Sequence, residues 1–297
     1  MSNTPAKQVA TRRRRYERSG NPKHGMTPKK ARLLLYVAEC GMLTTKQVAR
    51  IAGMSVDATY KHLSDLFEME MLDRIAVPYA NVAPPGKDGP NLAFGPGENI
   101  NAATKQGLQY LHRAELISDE LAARKLPDYG PKNALFLAHE LLVRDVRVWL
   151  ELCIRAHGGD VEKWVDGPEA YLPPARPDAW FLYRLPNSER TLVGLVEADR
   201  GTERGNQWER KAHEYDRMLK SDALANATGG RRRGRLVVVV QTEARRERIA
   251  ALLADSPVAG FSYVATAEDL LVGGMEREVW NNPPSEYLVP LLPANAL

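Results

Sequence analysis

From Thr27 onward the apolar positions Leu33, Leu34, Val37, Ala38 and Met42 recur at helical spacing, which predicts a helix with Pro28 in its first turn and Gly41 as its stop. Thr44 then caps a short helix over Thr45 to Ile51, Gly53 supplies a tight turn, and Ser55 caps a third helix. In that third helix Val56, Tyr60, Leu63 and Phe67 are spaced as one inward stripe, which leaves Ser55, Asp57, Thr59, Lys61, His62 and Ser64 facing away. Helix, short helix, glycine turn and exposed polar helix make a helix-turn-helix pattern.

After Leu72, Asp73 to Val77 reads as a strand and a Pro- and Gly-rich span runs from Pro84 to Gly97. Ile100 to Leu108 then leads through a second strand into a helix ending at His112. Strand, loose loop, strand and closing helix describe a wing. The leucine-rich helix end, the hairpin and the cadence of Thr104 followed by Gly107-Leu108 resemble the winged-helix superfamily. The polar Pro127-Asp128-Tyr129-Gly130-Pro131 segment reads as a linker. The predicted division is a basic arm over 1–26, a winged helix-turn-helix over 27–125, a linker over 126–132 and a second domain over 133–297.

The second domain opens on a strongly periodic helix from Asn133 to His157. Strands are predicted at Trp164-Val165 with Ala170 to Leu172, at Asp178 to Leu185 and at Thr191 to Ala198. A helix follows from Asn206 to Ser221, then a fully apolar buried strand from Arg235 to Gln241. A helix from Glu243 to Ala254 and a strand from Phe261 to Val264 complete a mixed sheet. The expected class is α+β or α/β, with the order helix, three strands, helix, strand.

The length of 297 residues agrees with two domains, and the 44% hydrophobic and 26% charged fractions with folded ones. The net charge of +4 is mild, so its distribution carries the information. Ten basic side chains, among them Arg12, Arg13, Arg14 and Arg15, stand against one acid, Glu17, in the first 32 residues. Such an arm neutralises phosphates by counterion release, or is a solvated tail. Cys40 and Cys153 lie in separate apolar helices, which excludes a disulfide framework or a thiolate zinc cage and predicts a cytoplasmic chain. No stretch of membrane-spanning length is uncharged: Ala31 to Leu43 is interrupted by Arg32 and Glu39. The arginine run lacks the apolar segment of an export signal, since Ser19 to His24 follows it.

The chemistry concentrates in the second domain. Pro177-Asp178 opens one predicted strand, and Glu197 and Asp199, two apart at the end of the next, leave the same face. Three such carboxylates repel one another unless a cation sits among them, and an oxygen-only set suits Mg²⁺ or Mn²⁺. The element order and these acids resemble the PD-(D/E)XK nuclease core. That resemblance implies catalytic roles for Asp178, Glu197, Asp199 and a lysine, with metal ligation by Asp178, Glu197 and Asp199. Asp199 stands where the pattern expects the lysine, so Lys211 on the following helix is the substitute, or the site is dead and the fold only holds DNA. His139 and Glu140 are further candidates, or a packed histidine and a surface acid.

A narrower resemblance is carried by Arg176-Pro177-Asp178-Ala179-Trp180, by the run from Glu197 to Glu203 (Glu-Ala-Asp-Arg-Gly-Thr-Glu), and by Trp208, Lys211 and Tyr215. Together these are similar to the replication-relaxation family of plasmid and mobile-element proteins, which also begin with a winged helix. The resemblance implies a role in plasmid replication and DNA relaxation. No Gly-Lys-Ser/Thr phosphate loop, no Gly-x-Ser-x-Gly elbow and no His-apolar-His pair occurs, so a nucleotide cofactor, serine hydrolysis and a tyrosine nickase are not expected. The expected partner is double-stranded DNA, met by the arm and by Ser55, Thr59, Lys61 and His62, with a homodimer as one arrangement. A metal-dependent nickase, a non-enzymatic transcription or replication regulator and a protein scaffold are the three functions weighed.

Overall fold

The computed structural model describes residues 17–20, 22, 24–75, 99–123, 134–201, 205–272, 274–283, 285 and 287–292. Arg12 to Arg15, the span Pro84 to Gly97, the linker 126–132 and Thr202-Glu203 lie outside the described residues. The chain divides into two units, Met1–Arg144 and Asp145–Leu297.

Helices of the first unit begin at hydroxyls that satisfy backbone N–H groups the helix itself cannot pair. Thr27 accepts from the Lys30 N–H ahead of α1 (Pro28–Cys40). After β1 (Met42–Thr44), Thr44 forms a reciprocal capping box with Gln47 at the start of α2 (Thr45–Ala52), which ends on Gly53 in the left-handed region. Ser55 caps α3 (Val56–Glu68) by accepting from the Ala58 N–H. The strands β2 (Leu72–Ile75) and β3 (Ile100–Ala103) join β1 in an antiparallel sheet ordered β1-β3-β2, with Met42 opposite Ala102 and Leu72 opposite Ala103. Thr104 caps α4 (Lys105–Arg113), and the short α5 (Asp119–Ala122) follows. Gly107 has a steric reason: a Cβ there would stand 2.2 Å from the Met71 carbonyl oxygen.

Three expectations are corrected in this unit. The buried stripe of α3 is Thr59, Leu63, Leu66 and Phe67, whereas Val56 and Tyr60 are 45% and 43% exposed. Thr59 is buried without penalty because its hydroxyl donates to the Ser55 carbonyl at 2.9 Å, so a polar residue fills a core position and the apolar pair turns outward. The basic arm also loses members to the fold. Lys30 is 2% exposed, its Nζ paired with Asp65 at 2.8 Å and donating to the carbonyls of His24 and Gly25. Arg18 donates to the carbonyls of Phe67 and Leu72 and lies over the Phe67 ring.

The third correction concerns α6 (Ala134–His157), which was expected to open the second domain. Its residues Leu137 and Leu141 pack with Met42, Ile100 and Ala102, and Gln47 donates to the Leu141 carbonyl at 3.2 Å. The first turns of α6 therefore complete the core of the first unit, and the division falls between Arg144 and Asp145.

The second unit is built on a seven-stranded sheet. In chain order its elements are β4 (Asp160–Asp166), β5 (Ala179–Arg184), β6 (Thr191–Asp199), α7 (Gly205–Lys220), α8 (Ala223–Thr228), β7 (Arg235–Val240), α9 (Glu243–Ala254), β8 (Ser262–Thr266), β9 (Trp280–Asn281) and β10 (Leu288–Val289). The order across the sheet is β10-β9-β8-β7-β6-β5-β4; β6, β7 and β8 run parallel and the other pairs antiparallel. Ala170 ends a 3-10 turn rather than extending a strand, because Gly167-Pro168 closes β4. α8, β9 and β10 have no counterpart among the predicted elements; each is six residues or shorter.

Alternation decides what each strand presents. Trp180 and Leu182 of β5, Val193 and Leu195 of β6 and Leu236, Val238 and Val240 of β7 share one core with Trp208, Ala212, Tyr215 and Met218 of α7 and Ile249 and Leu253 of α9. Both α7 and α9 thus cover the face that carries Glu197 and Asp199 further along β6. Gly194 belongs to the opposite face and is register partner to Phe181, whose ring lies 2.1 Å from where a Cβ would be. Among the described residues no helix is long and apolar enough to cross a membrane.

Candidate active site

The register of β5 with β6 brings the first two acids together. Ala179 pairs with Val196, so one step earlier Asp178 stands opposite Glu197 on the same face. The Asp178 N–H donates to the Val196 carbonyl at 3.0 Å, and its side-chain Oδ2 accepts from the Ala198 N–H at 2.8 Å. The carboxylate is thereby fixed against the end of β6.

Two strand steps separate Glu197 from Asp199, about 7 Å, and one helix serves both. Trp208, Lys211 and Tyr215 are spaced by three and four residues, a single stripe along α7. The Lys211 ammonium lies 2.7 Å from Glu197 Oε2, and the Tyr215 hydroxyl donates to Oε1 at 2.6 Å. The Trp208 indole N–H donates to Asp199 Oδ2 at 2.7 Å, and Lys211 also lies over the Trp208 ring. Lys211 does reach Glu197, from the helix instead of from the strand.

Glu197 is wholly buried, and burial pushes its carboxyl up to about 8; the nearby Asp178 charge pushes the same way, while Lys211 and Tyr215 pull it down. Taking a carboxylate out of water costs more than one ammonium and one phenol return. At neutral pH the metal-free site thus holds the Glu197 proton.

Asp199 is differently placed from the expectation. Its Oδ2 also accepts from Arg245 Nη2 at 2.6 Å, its Oδ1 accepts from the Gly201 N–H, and its side chain is fully buried. Among the described residues no three His, Cys, Asp or Glu side chains are grouped to hold one ion. The three-carboxylate cage of Asp178, Glu197 and Asp199 does not form, because Asp199 spends its oxygens on Arg245, Trp208 and the turn after β6. Arg245 was missed by sequence reasoning: it opens α9, far from the acids along the chain, and no motif marks it. Glu140, 18% exposed, pairs with Arg144 at 3.2 Å.

On α3, Ser55 and Lys61 are exposed, and Thr59 is withdrawn into the core. His62 is partly buried, and its pKa is lowered by burial and then by Lys29 and Lys30, with Asp65 opposing, so it stands neutral at physiological pH. Tyr60 takes the outward place, with the Arg74 guanidinium over its ring and Arg74 also donating to Ser64.

Two solved structures of the restriction endonuclease FokI, one of them bound to DNA, are similar to this chain at 10% and 11% identity, with TM-scores of 0.29 and 0.26. Each match covers 82% of this chain and 42% or 43% of FokI, so the chain spans about two fifths of that protein's length. No curated protein matches it. The model of the replication-relaxation family matches residues 34–233, well over half of the 297-residue chain that carries the acid pair and the Trp208, Lys211, Tyr215 stripe, and the protein belongs to the replication-relaxation family.

Proposed function

We propose that this protein binds duplex DNA through its first unit and breaks a phosphodiester bond at the Asp178, Glu197 and Lys211 cluster of its second. The family's description ties the chain to replication and relaxation of DNA. Supporting a winged helix-turn-helix is the order helix, strand, helix, helix, strand, strand, with the sheet ordered β1-β3-β2 and α2 joined to α3 through the left-handed Gly53. On this reading α3 enters the major groove, Lys61 and Tyr60 reach its walls and Ser55 lies at the helix start. The arm with Arg12 to Arg15 contacts phosphates.

A nuclease-like role for the second unit rests on one observation: Lys211 Nζ lies 2.7 Å from Glu197, which the β5–β6 register sets opposite Asp178. Helix, three strands, helix, strand is the order of the PD-(D/E)XK core, with the lysine moved to α7. The two facing carboxylates fit a hard divalent cation, Mg²⁺ or Mn²⁺, which takes one or two protein carboxylates and completes its shell with water and phosphate oxygens. Asp178 and Glu197 would hold such an ion, which would supply activation of a water and stabilisation of the leaving oxygen. The chain's own residues do the rest. Ala198 N–H and Tyr215 orient the two acids, and Lys211 supplies positive charge and a proton beside the phosphoryl oxygens.

Asp199 in the lysine's place favours a second reading, a regulator with a degenerate nuclease-like domain. Plasmid nicking separates the two. Supercoiled DNA with Mn²⁺ is expected to be relaxed by the wild-type chain, with no relaxation by Asp178→Ala or Glu197→Ala and a rate lowered about 10²–10³-fold in Lys211→Ala. Relaxation by Asp178→Ala at the wild-type rate would remove the site, and a wild-type chain that binds DNA and never nicks it is the regulator.

Binding has its own test. Affinity for duplex DNA is expected to fall steeply between low and moderate salt, and Lys61→Ala to weaken all sequences alike with a salt slope lower by about one. A salt-independent affinity would contradict phosphate contact.

A further inference from the structure

A cavity of about 720 Å³ opens where β6 and β7 begin, at the other end of those strands from Asp199. Among the described residues four arginines line it, Arg190, Arg232, Arg233 and Arg235, and no acidic residue does. Leu185, Leu219 and Phe261 supply apolar walls. Arg235 is register partner to Gly194, so it belongs to the opposite face of the sheet from Glu197 and takes no part in the acid cluster.

The arginines are unequally committed. Arg232 is paired with Asp222 at 2.7 Å, both side chains being exposed. Arg235 is laid over the Tyr263 ring at 4.9 Å, and its Nη1 is buried without a hydrogen-bond partner among the described residues. Burial lowers the pKa of Arg235 from arginine's ordinary value, opposed by Tyr263, yet a guanidinium stays charged in any protein environment. That Nη1 has no accessible surface, so Arg235 acts on the cavity through the positive charge it holds in the wall, which an entering anion offsets. Arg190 and Arg233 are exposed at the rim, where they add attraction without desolvation.

We infer that this cavity is a second anion site, which takes a nucleotide unit: its phosphate on the arginines and its flat, largely apolar base against Leu185, Leu219 and Phe261. Its volume is that of a small-ligand pocket, with apolar walls and a few converging polar groups, where a site for bare phosphate would be smaller and wholly polar. Guanidinium forks match phosphate oxygens in pairs. The unit can come from a free nucleotide or from a nucleotide within a DNA strand; the chemistry recognised is the same.

The test uses the full chain without divalent cation, so its result does not depend on whether the acid cluster cuts DNA. ADP is titrated by calorimetry and a labelled short oligothymidylate by anisotropy. The probes are compared on wild type, on Arg190→Glu/Arg233→Glu and on the charge-matched control Arg217→Glu/Arg248→Glu, which changes exposed arginines of α7 and α9 that do not line the cavity. The rim variant is expected to weaken a probe roughly tenfold or more, with the control within about threefold of wild type. Loss of ADP binding identifies a free nucleotide, and loss of oligothymidylate binding with ADP silent identifies a strand. Failure of wild type to bind either probe, equal losses in both double variants, or inorganic phosphate binding as tightly as ADP would overturn the inference.

Discussion

Asp199→Ala is expected to lower the unfolding free energy of the second unit by about 3–5 kcal/mol, the range for removing one partner of a buried ion pair. Three groups lose their acceptor at once: Arg245, 11% exposed, the Trp208 indole and the Gly201 N–H. Loss of the buried Asp199 carboxylate from beside the Arg245 guanidinium is the dominant cost. Removing the guanidinium as well, in Asp199→Ala/Arg245→Ala, is expected to recover part of the loss, because the buried cation that Asp199 neutralised is then gone. Asp178→Ala removes a half-buried acid that accepts from the Ala198 N–H and is expected to cost about 1 kcal/mol. The measurement is urea unfolding followed by tryptophan fluorescence. All five tryptophans (Trp149, Trp164, Trp180, Trp208 and Trp280) belong to the second unit, so the signal reports it alone. An Asp199→Ala chain that melts like wild type yet fails to nick DNA would return Asp199 to the chemistry.

What was legible in the sequence follows from how local each cause is. Helix starts were readable at Thr27, Thr44 and Ser55, since a cap is settled by the residue and its neighbours three positions on. The apolar run of β7 marked a strand covered on both faces, and it lies between two parallel neighbours. Asp178, Glu197 and Lys211 were legible through spacing and resemblance together, and the β5–β6 register with α7 joins them.

The failures came where a tertiary partner overrides a local pattern. Val56, Tyr60, Leu63 and Phe67 form as regular a stripe as Thr59, Leu63, Leu66 and Phe67. Only a hydroxyl satisfied by the Ser55 carbonyl tells that the second is buried. Glu197 and Asp199 share a face by the period of two, yet that period is silent on what faces them. Arg245 settles the role of Asp199 from 46 residues away, a distance over which no sequence spacing applies. The first turns of α6 read as part of a second domain because their periodicity is continuous to His157, whereas Met42 and Ile100 claim Leu137 and Leu141 for the first.

Glu197→Gln is expected to flatten the pH dependence of stability in the metal-free chain. The direction follows from the carboxyl's being raised from its ordinary value of 4.5 to about 8, by burial first and by Asp178 second. Between those values the folded chain holds a proton that the unfolded chain has released, so the native state is the better proton binder and stability falls as pH rises through the window. Below about 4.5 both states carry the proton, and above about 8 both have lost it, so the slope vanishes on either side. The full loss across the window is on the order of a few kcal/mol for a shift of this size. Glutamine keeps the shape and an oxygen acceptor for Lys211 and has nothing to ionise. The variant therefore matches wild type near pH 5 and exceeds it near pH 9, read as the urea midpoint at constant m-value. Parallel curves for the two chains would show that Glu197 is ionised throughout, and the Lys211 and Tyr215 bonds would then outweigh the desolvation that now defines the site.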